Sequence, residues 1–420
     1  MDDLDALGML AANPTEGSVA AGRARLETEA RGAAHGPARR PARRRLSPPR
    51  LTLFTGFGLT LAGAAAAVAV MMSSGTATPR APGAHGGADG SFLEVAAKAD
   101  LLPSGRYWYS DEIQGQSYMQ RPASGAYAII GAHSETYQYV GAKREDGSGF
   151  WGRDLPSRPA SPEDAAGWKR AGSPSSFRVW SNDHYWTYTT KATAWEYDPA
   201  GRGRGGQFPG LGPDRKSAAA GKNKPMSAAD FASLPTDPSV LAKMLFPRLT
   251  GFEALDPLAL DDMPQAELYR LKQNPGSIPP RDLTPREKIF TAGSALKDMP
   301  LPPKVRAGLM RALAAQPGIR TVKNVRDPLG REGVALVAAP VTRKVTAEYG
   351  APRNEQGTYS EQEELVFDAK TGALLSQQNV LATPGGPYAA RKTGAVLSYW
   401  IVRSGGWTDA KPKPPAGLPF

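Results

Sequence analysis

A glycine-rich stretch at residues 201–206 matches the G-x-G-x-x-G pattern that binds the phosphates of dinucleotides. That chemistry needs a strand before the glycines, a helix directly after them, and an acidic residue roughly 20 positions further on. In this chain the motif is followed by residues 207–210, Gln-Phe-Pro-Gly, which do not readily open a helix. We therefore interpret residues 201–206 as part of a surface loop, and no cofactor is predicted.

Residues that could serve in acid–base or nucleophilic catalysis are few. The chain has four histidines and no cysteine. His184 follows Asp183 in a predicted strand, where adjacent side chains point to opposite faces and do not form an acid–base pair. Glu361, Glu363 and Glu364 could provide the paired carboxylates of a glycosidase, but acids at a hairpin rim are usually solvated. Because a G-x-S-x-G motif and zinc-type histidine spacing are also missing from the sequence, no catalytic or metal-binding residue is predicted.

Aromatic side chains are the best candidates for binding a ligand. Six of the eight tryptophans lie between Trp108 and Trp195. We select Trp108, Tyr109, Trp186 and Tyr188 as a possible ligand surface. A half-open sheet lined by such rings can hold an acyl chain, a peptide or a glycan. The alternative is that these rings build the core of a domain without disulfides, and the sequence does not decide between the two.

The cellular location of these residues follows from an uncharged apolar run at residues 51–72. A helix of this length measures roughly 33 Å, enough to cross a hydrocarbon core of about 30 Å. Residues 31–50 directly before it contain seven arginines and no acid, and such a basic flank stays in the cytoplasm. The run predicts one uncleaved membrane span after a partly disordered cytoplasmic tail at residues 1–50. The alternative is a cleaved signal peptide, whose apolar region is usually about 7–15 residues long.

Residues beyond the span are predicted to lie outside the membrane. Residues 73–90 are rich in Ser, Gly, Ala, Thr and Pro, a composition typical of a flexible tether. Residues 91–420 are long enough to bury a core of their own. Since the chain has no cysteine, this extracytoplasmic domain must be held together by packing rather than by disulfides.

The charge balance indicates which partners suit this location. The formal net charge is +11. An excess of basic residues can bind nucleic acid, but nucleic acid is scarce outside a membrane and is not predicted as a partner. Polyanionic envelope polymers or anionic lipid head groups are better candidates. A usage bias toward arginine, as in high-GC genomes, would explain the charge without any partner.

Hydrophobic patterning places strands on both sides of a helical insert. Strands are predicted within residues 106–190 and again within 319–402, in segments separated by Gly, Pro, Ser and Asp. The helical insert covers about residues 230–316. The order predicts an α+β fold, in which the insert packs on one face of a curved, mostly antiparallel sheet.

Local signals mark two helix starts and one turn. Asp237 or the residue before it can cap a helix that has Pro238 in its first turn. Thr284 is followed three positions later by Glu287, which is the spacing of a capping box. Residues 131–134, Gly-Ala-His-Ser, are predicted to form a turn between two strands.

Six stretches of the chain together carry a family resemblance. They are the short acidic N-terminus and residues 23–26, 234–238, 309–320, 327–335 and 365–372. In them the chain resembles an uncharacterised membrane-anchored family of high-GC Gram-positive bacteria that is often encoded near extracytoplasmic-function sigma factors. That family has no established activity, so the resemblance implies placement and fold only. Strands around a helical insert are also similar to the periplasmic lipoprotein-carrier fold, a likeness of fold alone.

These features together predict a non-enzymatic single-pass membrane protein. Its external domain would bind or sense an envelope component, such as a lipid, a peptide or a glycan. Its cytoplasmic tail would contact a regulatory protein, for example a sigma factor. Two alternatives stay open: a lipid or lipoprotein carrier with an apolar cavity, and a cell-envelope hydrolase. A single sheet joining the strands before and after the insert, with an open apolar concavity, would support a binding domain, whereas two separate cores would mean a different domain count.

Overall fold

The computed structural model describes residues 90–181, 184–198, 228–255, 265–347 and 350–420. These residues all belong to one compact unit. The predicted cytoplasmic tail, membrane span and tether, at residues 1–89, lie outside the described residues, as does the glycine-rich motif at 201–206. None of the helices in the described part of the chain is both long and apolar enough to cross a membrane.

The strands occur in two groups along the chain. The first group is β1 (Tyr107–Gln120), β2 (Tyr127–Gly141), β3 (Ser148–Asp154), β4 (Arg158–Pro159), β5 (Ser176–Ser181), β6 (His184–Thr189) and β7 (Glu196–Tyr197). The second group is β8 (Arg320–Arg326), β9 (Glu332–Val337), β10 (Val341–Val345), β11 (Gly357–Phe367), β12 (Leu374–Thr383) and β13 (Val396–Thr408). Aromatic and β-branched residues favour this extended backbone.

Most of the helices in the described residues fall between the two groups of strands. The helices are α1 (Gly90–Asp100), α2 (Pro162–Arg170), α3 (Ala228–Ala232), α4 (Pro238–Leu245), α5 (Gln265–Gln273), α6 (Pro285–Asp298) and α7 (Pro303–Ala314). The Asp237 side chain accepts from two backbone N–H groups at the start of α4, and Thr284 and Glu287 form a capping box at α6. Both predicted helix starts are thus confirmed.

Strands from both groups form a single sheet. Eleven strands belong to it, and its main path runs β7-β3-β2-β1-β13-β12-β11-β9-β8, with β10 beside β11 and β4 beside β2. Every strand pair recorded in it is antiparallel. The pairing of β1 with β13 joins the first group to the second. Strands β5 and β6 form a separate two-stranded sheet. The fold is therefore α+β with a large antiparallel sheet.

A layer of helices packs on one surface of this sheet, which we call the helix-facing surface. Phe92 of α1 meets Phe367 of β11 with ring centroids 5.3 Å apart, and Ile289 of α6 belongs to the same buried cluster. Gly308 lets α7 approach the segment before α4, because a Cβ there would lie 2.4 Å from the carbonyl oxygen of Thr236. The largest apolar cluster of the described residues therefore lies between these helices and the sheet.

The turn predicted at residues 131–134 is wrong, because β2 continues through it. The register of β1 against β2 shifts between Gln114 and Gln116, so that β2 carries an extra residue. Ala132 has a φ of 43°, a left-handed backbone conformation that accommodates a bulge. The buried His133 places its Nδ1 2.8 Å from the carbonyl oxygen of Pro156. Burial lowers the pKa of His133 to about 4.

Two of the acids predicted to be solvated at a hairpin rim are instead buried within β11. Glu361 is 6% exposed and Glu363 is 1% exposed. Arginine side chains compensate their charge: Arg286 of α6 lies 3.2 Å from Glu361 and 3.3 Å from Glu363. The reason is tertiary, because α6 covers this end of the sheet.

Candidate functional site

The four aromatic residues selected from the sequence lie in three different places. Trp108 is 1% exposed on the helix-facing surface of β1, whereas Tyr109 lies on the opposite surface and stacks on a tyrosine of β2. Trp186 and Tyr188 lie on β6, where Trp186 is 45% exposed. The Tyr188 ring contacts that of Tyr118 in the large sheet. The structure does not bring the four residues together.

A strip of polar side chains crosses the helix-facing surface over four neighbouring strands. We call it the polar strip, and it consists of Ser134 (β2), Gln114 (β1), Ser398 and Trp400 (β13), and Gln377 and Asn379 (β12). In the register, Gln114 is opposite both Ser134 and Trp400, and Asn379 is opposite Ser398. Directly opposed residues on adjacent strands share a face, so the strip is continuous.

Hydrogen bonds hold the side chains of the polar strip in place. The Gln114 amide nitrogen donates to the Ser134 hydroxyl at 2.7 Å, and its oxygen accepts from the Trp400 indole at 3.2 Å. The Asn379 amide nitrogen donates to the Ser398 hydroxyl at 3.2 Å. Gln114, Ser398 and Trp400 are half-buried, so their side chains retain some accessible surface. The strip therefore presents an oriented indole next to amide and hydroxyl groups.

Two carbonyl oxygens in the polar strip accept no hydrogen bond from the described residues. They are Oδ1 of Asn379 and Oε1 of Gln377, and the two residues are 3% and 1% exposed. Leaving a buried acceptor unpaired costs about 1–3 kcal/mol. Gly293 of α6 faces Gln377, because a Cβ there would lie 2.5 Å from Oε1. Both oxygens are shielded from solvent, so the accessible polar groups of the strip are those of Gln114 and Ser398.

Oppositely charged pairs border the polar strip at both ends of α6. Lys297 lies 3.5 Å from Glu112 of β1, and Arg286 lies next to Glu361 and Glu363 of β11. Burial raises the pKa of Glu112 to about 7, although the Lys297 ammonium opposes this shift. Burial also raises the pKa of Glu363, and Arg286 partly offsets it. Arg286 and Arg343 together balance Glu361 and Glu363, whereas Lys297 is shared between Glu112 and Asp298.

A buried charge cluster lies on the opposite surface of the sheet. The Glu135 carboxylate is 0% exposed and accepts from Arg153 Nε at 2.6 Å and from Arg403 Nη1 at 2.7 Å. Asp111 Oδ2 lies 3.9 Å from the same Arg403 nitrogen. Burial, with the negative charge of Glu135, raises the pKa of Asp111 to about 8. The raised pKa favours the protonated form of Asp111, beside the Glu135 carboxylate and two guanidinium groups.

Replacing Asp111 with asparagine is expected to change how stability depends on pH. An unfolded aspartate titrates near pH 4, whereas folded Asp111 keeps its proton up to about pH 8. Between these values the folded state binds more protons, so the free energy of unfolding falls as pH rises. In Asp111→Asn this decrease of the free energy of unfolding with rising pH should disappear. The variant should therefore be more stable relative to the wild type at about pH 8 than at lower pH. Urea denaturation at several pH values measures the free energy of unfolding of both chains. If that free energy changed with pH equally in both chains, the prediction would be wrong.

The residues weighed from the sequence for catalysis do not assemble in the described part of the chain. Asp183, the neighbour of His184, lies outside the described residues. Glu361 and Glu363 are held by arginine rather than facing each other across a cleft. Within residues 90–420, leaving out the undescribed gaps, no three His, Asp or Glu side chains are grouped closely enough to hold a metal ion.

Sequence reasoning missed the polar strip, although one signal pointed to it. Ser110, Glu112, Gln114 and Gln116 are polar at every second position of β1, a period that places them on one face of a strand. The matching residues of β12 and β13 carry no such regular pattern. Their place in the strip depends on strand pairing, which the alternation in β1 alone does not reveal.

Comparisons with models of protein families, with curated proteins and with solved structures found no match for this chain.

Proposed function

We propose that residues 90–420 form a non-enzymatic binding domain that holds a neutral, hydroxyl- or amide-bearing envelope ligand, such as a glycan chain, on the polar strip. One observation carries the proposal: the half-buried Trp400 ring lies in the same strip as the half-buried Gln114 amide and Ser398 hydroxyl, which keep accessible surface for a ligand. Binding sites typically combine an apolar or aromatic surface with a few oriented polar groups.

The chemistry of the polar strip supports a neutral polar ligand over an acyl chain or an ion. The amides of Gln114 and Asn379 and the hydroxyl of Ser398 can donate and accept hydrogen bonds, as sugar hydroxyl and acetamido groups require. The Lys297 ammonium lies 6.0 Å from the centroid of the Trp400 ring, and the apolar face of a sugar ring can pack on the part of the indole that Lys297 leaves accessible. An acyl chain would instead bury these polar groups without partners, at a cost for each.

The state of the nearby carboxylates supports binding rather than hydrolysis. Glycoside hydrolysis requires two carboxyl groups that face the same bond, one of them able to donate a proton. Glu361 is paired with both Arg286 and Arg343, and Glu363 with Arg286. Glu112 is paired with Lys297. These carboxylates are occupied by cations of the protein itself.

We also propose that this domain is anchored in the cell membrane by residues 51–72, with residues 1–50 in the cytoplasm. The apolar run and the arginines that precede it support this topology. The cytoplasmic tail would contact a regulatory protein, for example a sigma factor. If deletion of residues 1–50 left the interaction partners and sigma-dependent transcription unchanged, this regulatory role would be wrong.

Replacing Trp400 or Asn379 with alanine is expected to weaken glycan binding. Isothermal titration of the full chain in detergent with the tetramer of N-acetylglucosamine measures the affinity. Loss of the indole platform should lower it by roughly 30-fold, about 2 kcal/mol, a typical effect for a central aromatic residue. Asn379→Ala should weaken binding by about 1 kcal/mol, because the Ser398 hydroxyl loses the hydrogen bond that orients it.

Trp186→Ala is the matched control for Trp400→Ala. It removes the same side chain from β6, outside the polar strip, and should leave the affinity unchanged. A wild-type chain that does not bind the oligosaccharide, or a Trp400→Ala chain that binds it as well as the wild type, would contradict the proposal.

A further inference from the structure

A second group of aromatic residues lies on the surface of the sheet opposite the helices. We call it the aromatic face, and it consists of Tyr107, Tyr109, Tyr137, Tyr139, Trp151 and Trp195. The rings touch one another: Tyr109 stacks on Tyr137 at 6.0 Å, Tyr139 stacks on Trp151 at 5.9 Å, and Tyr137 lies 6.5 Å from Trp195. The face is a continuous layer of rings over β1, β2 and β3.

The chain lays its own proline-rich segment, residues 409–420, across this face. The segment follows β13 directly and has the sequence DAKPKPPAGLPF. It forms neither helix nor strand. Prolines 412, 414, 415 and 419 are half-buried, whereas Lys411 and Lys413 are exposed. The four prolines are thus more shielded from solvent than the two lysines.

Specific contacts fix the register of the proline-rich segment. The Trp195 indole nitrogen donates to the carbonyl oxygen of Pro415 at 2.8 Å, and an Arg153 nitrogen donates to the carbonyl oxygen of Gly417 at 2.6 Å. The Lys411 ammonium lies 5.3 Å from the centroid of the Tyr139 ring. At the far end, the Phe420 ring lies 3.8 Å from the Arg158 guanidinium. Two donors thus bind backbone carbonyl groups of the segment, and cation–π contacts are made near both of its ends.

This arrangement is the chemistry by which aromatic-lined grooves recognise proline-rich peptides. Such peptides adopt an extended polyproline II helix whose backbone carbonyls remain free, so an indole N–H can donate to one of them between rings that pack on proline. Trp195 supplies such an indole donor to the carbonyl oxygen of Pro415, and the prolines of the segment are half-buried. We propose that the aromatic face is a binding site for a proline-rich, lysine-containing polypeptide of a partner protein, which residues 409–420 occupy in cis.

Occupation in cis would regulate access to the site. Because the proline-rich segment is joined directly to β13, its effective concentration at the face is of the order of millimolar or above. A partner peptide of equal intrinsic affinity must therefore displace it. The segment is only partly buried, and Phe420 is 47% exposed, so its release uncovers the rings without opening the core between the sheet and the helices.

The test measures binding of a fluorescently labelled peptide with the sequence of residues 409–420. It uses the full chain and the same chain ending at Thr408. The shortened chain should bind the peptide at least about tenfold more tightly than the full chain, because the competing segment is gone. Within the shortened chain, Trp195→Ala should weaken binding at least about tenfold, as for a central aromatic residue. Trp186→Ala, outside the face, should not change it.

Two further measurements decide the outcome. A peptide with alanine at all four proline positions should bind at least about tenfold more weakly if polyproline geometry is recognised. If the shortened chain does not fold, the full-length variant Pro414→Ser/Pro415→Ser is used in its place. This variant keeps the chain length but should weaken the binding of residues 409–420 to the aromatic face. Equal binding by the full and shortened (or Ser-substituted) chains, equal binding of the alanine peptide, or no effect of Trp195→Ala would overturn the proposal.

Discussion

Replacing Arg153 with alanine is expected to lower the free energy of unfolding by about 3–5 kcal/mol, the range for breaking a buried ion pair. Arg153 is 4% exposed and is bonded to Glu135, which is 0% exposed. After the substitution Glu135 keeps Arg403 as its only strong partner among the described residues. The guanidinium also lies 4.3 Å from the Trp195 ring, so packing is lost as well. Urea denaturation of the full chain measures the change.

Two further variants separate charge from packing in this result. Arg270→Ala is the matched control, since Arg270 and its partner Glu267 have side chains that are 65% and 40% exposed, and it should have little effect. The double variant Glu135→Gln/Arg153→Met removes both charges and should lose less stability than Arg153→Ala, because no buried carboxylate is left with a single cation partner. Equal losses for Arg153→Ala and the control would show that the cluster does not stabilise the sheet.

Replacing Phe367 with alanine is expected to cost about 3–5 kcal/mol, because it opens a cavity in the main core. The ring is 0% exposed and meets Phe92 of α1 edge to face, with centroids 5.3 Å apart. Phe92 is also 0% exposed, so the pair attaches the first helix of the domain to β11. Thermal or urea unfolding gives the loss, and Leu101→Ala, at a side chain 84% exposed, is the control.

A double-mutant cycle shows whether α1 is firmly docked. Phe92→Ala and Phe367→Ala together should lose less than the sum of the single losses, with a coupling of about 0.5–1.5 kcal/mol for an aromatic pair in contact. Strict additivity would mean that the two rings do not interact in solution. Docking of α1 matters for the proposed membrane anchor, since residues 1–89 would then join the domain at a fixed point.

Features that depend on a few neighbouring residues could be predicted from the sequence. The helices at Asp237 and Thr284 begin where the capping residues indicated, because a cap is formed by atoms within one turn of the backbone. The strands on either side of the helical insert also follow the aromatic and β-branched segments. The α+β class then followed from the order of these elements.

Features that depend on which elements meet could not be predicted. Glu361 and Glu363 had the composition of a solvated rim, but α6 brings Arg286 onto them and makes them buried partners. Trp108 and Tyr109 were grouped because they are adjacent in sequence, yet a strand sends neighbouring side chains to opposite faces. Trp108 is consequently a core residue, whereas Tyr109 belongs to the aromatic face.

The sequence by itself determined the class of fold, the helix starts, and a cysteine-free domain that follows a predicted membrane span. Only the tertiary structure decided the two candidate binding surfaces. The polar strip requires β13 to pair with β1, which brings Trp400 to Gln114 across 286 positions of the chain. The aromatic face is covered because residues 409–420 return over β2 and β3. Both depend on contacts between distant residues, and local propensity and spacing carry no information about those contacts.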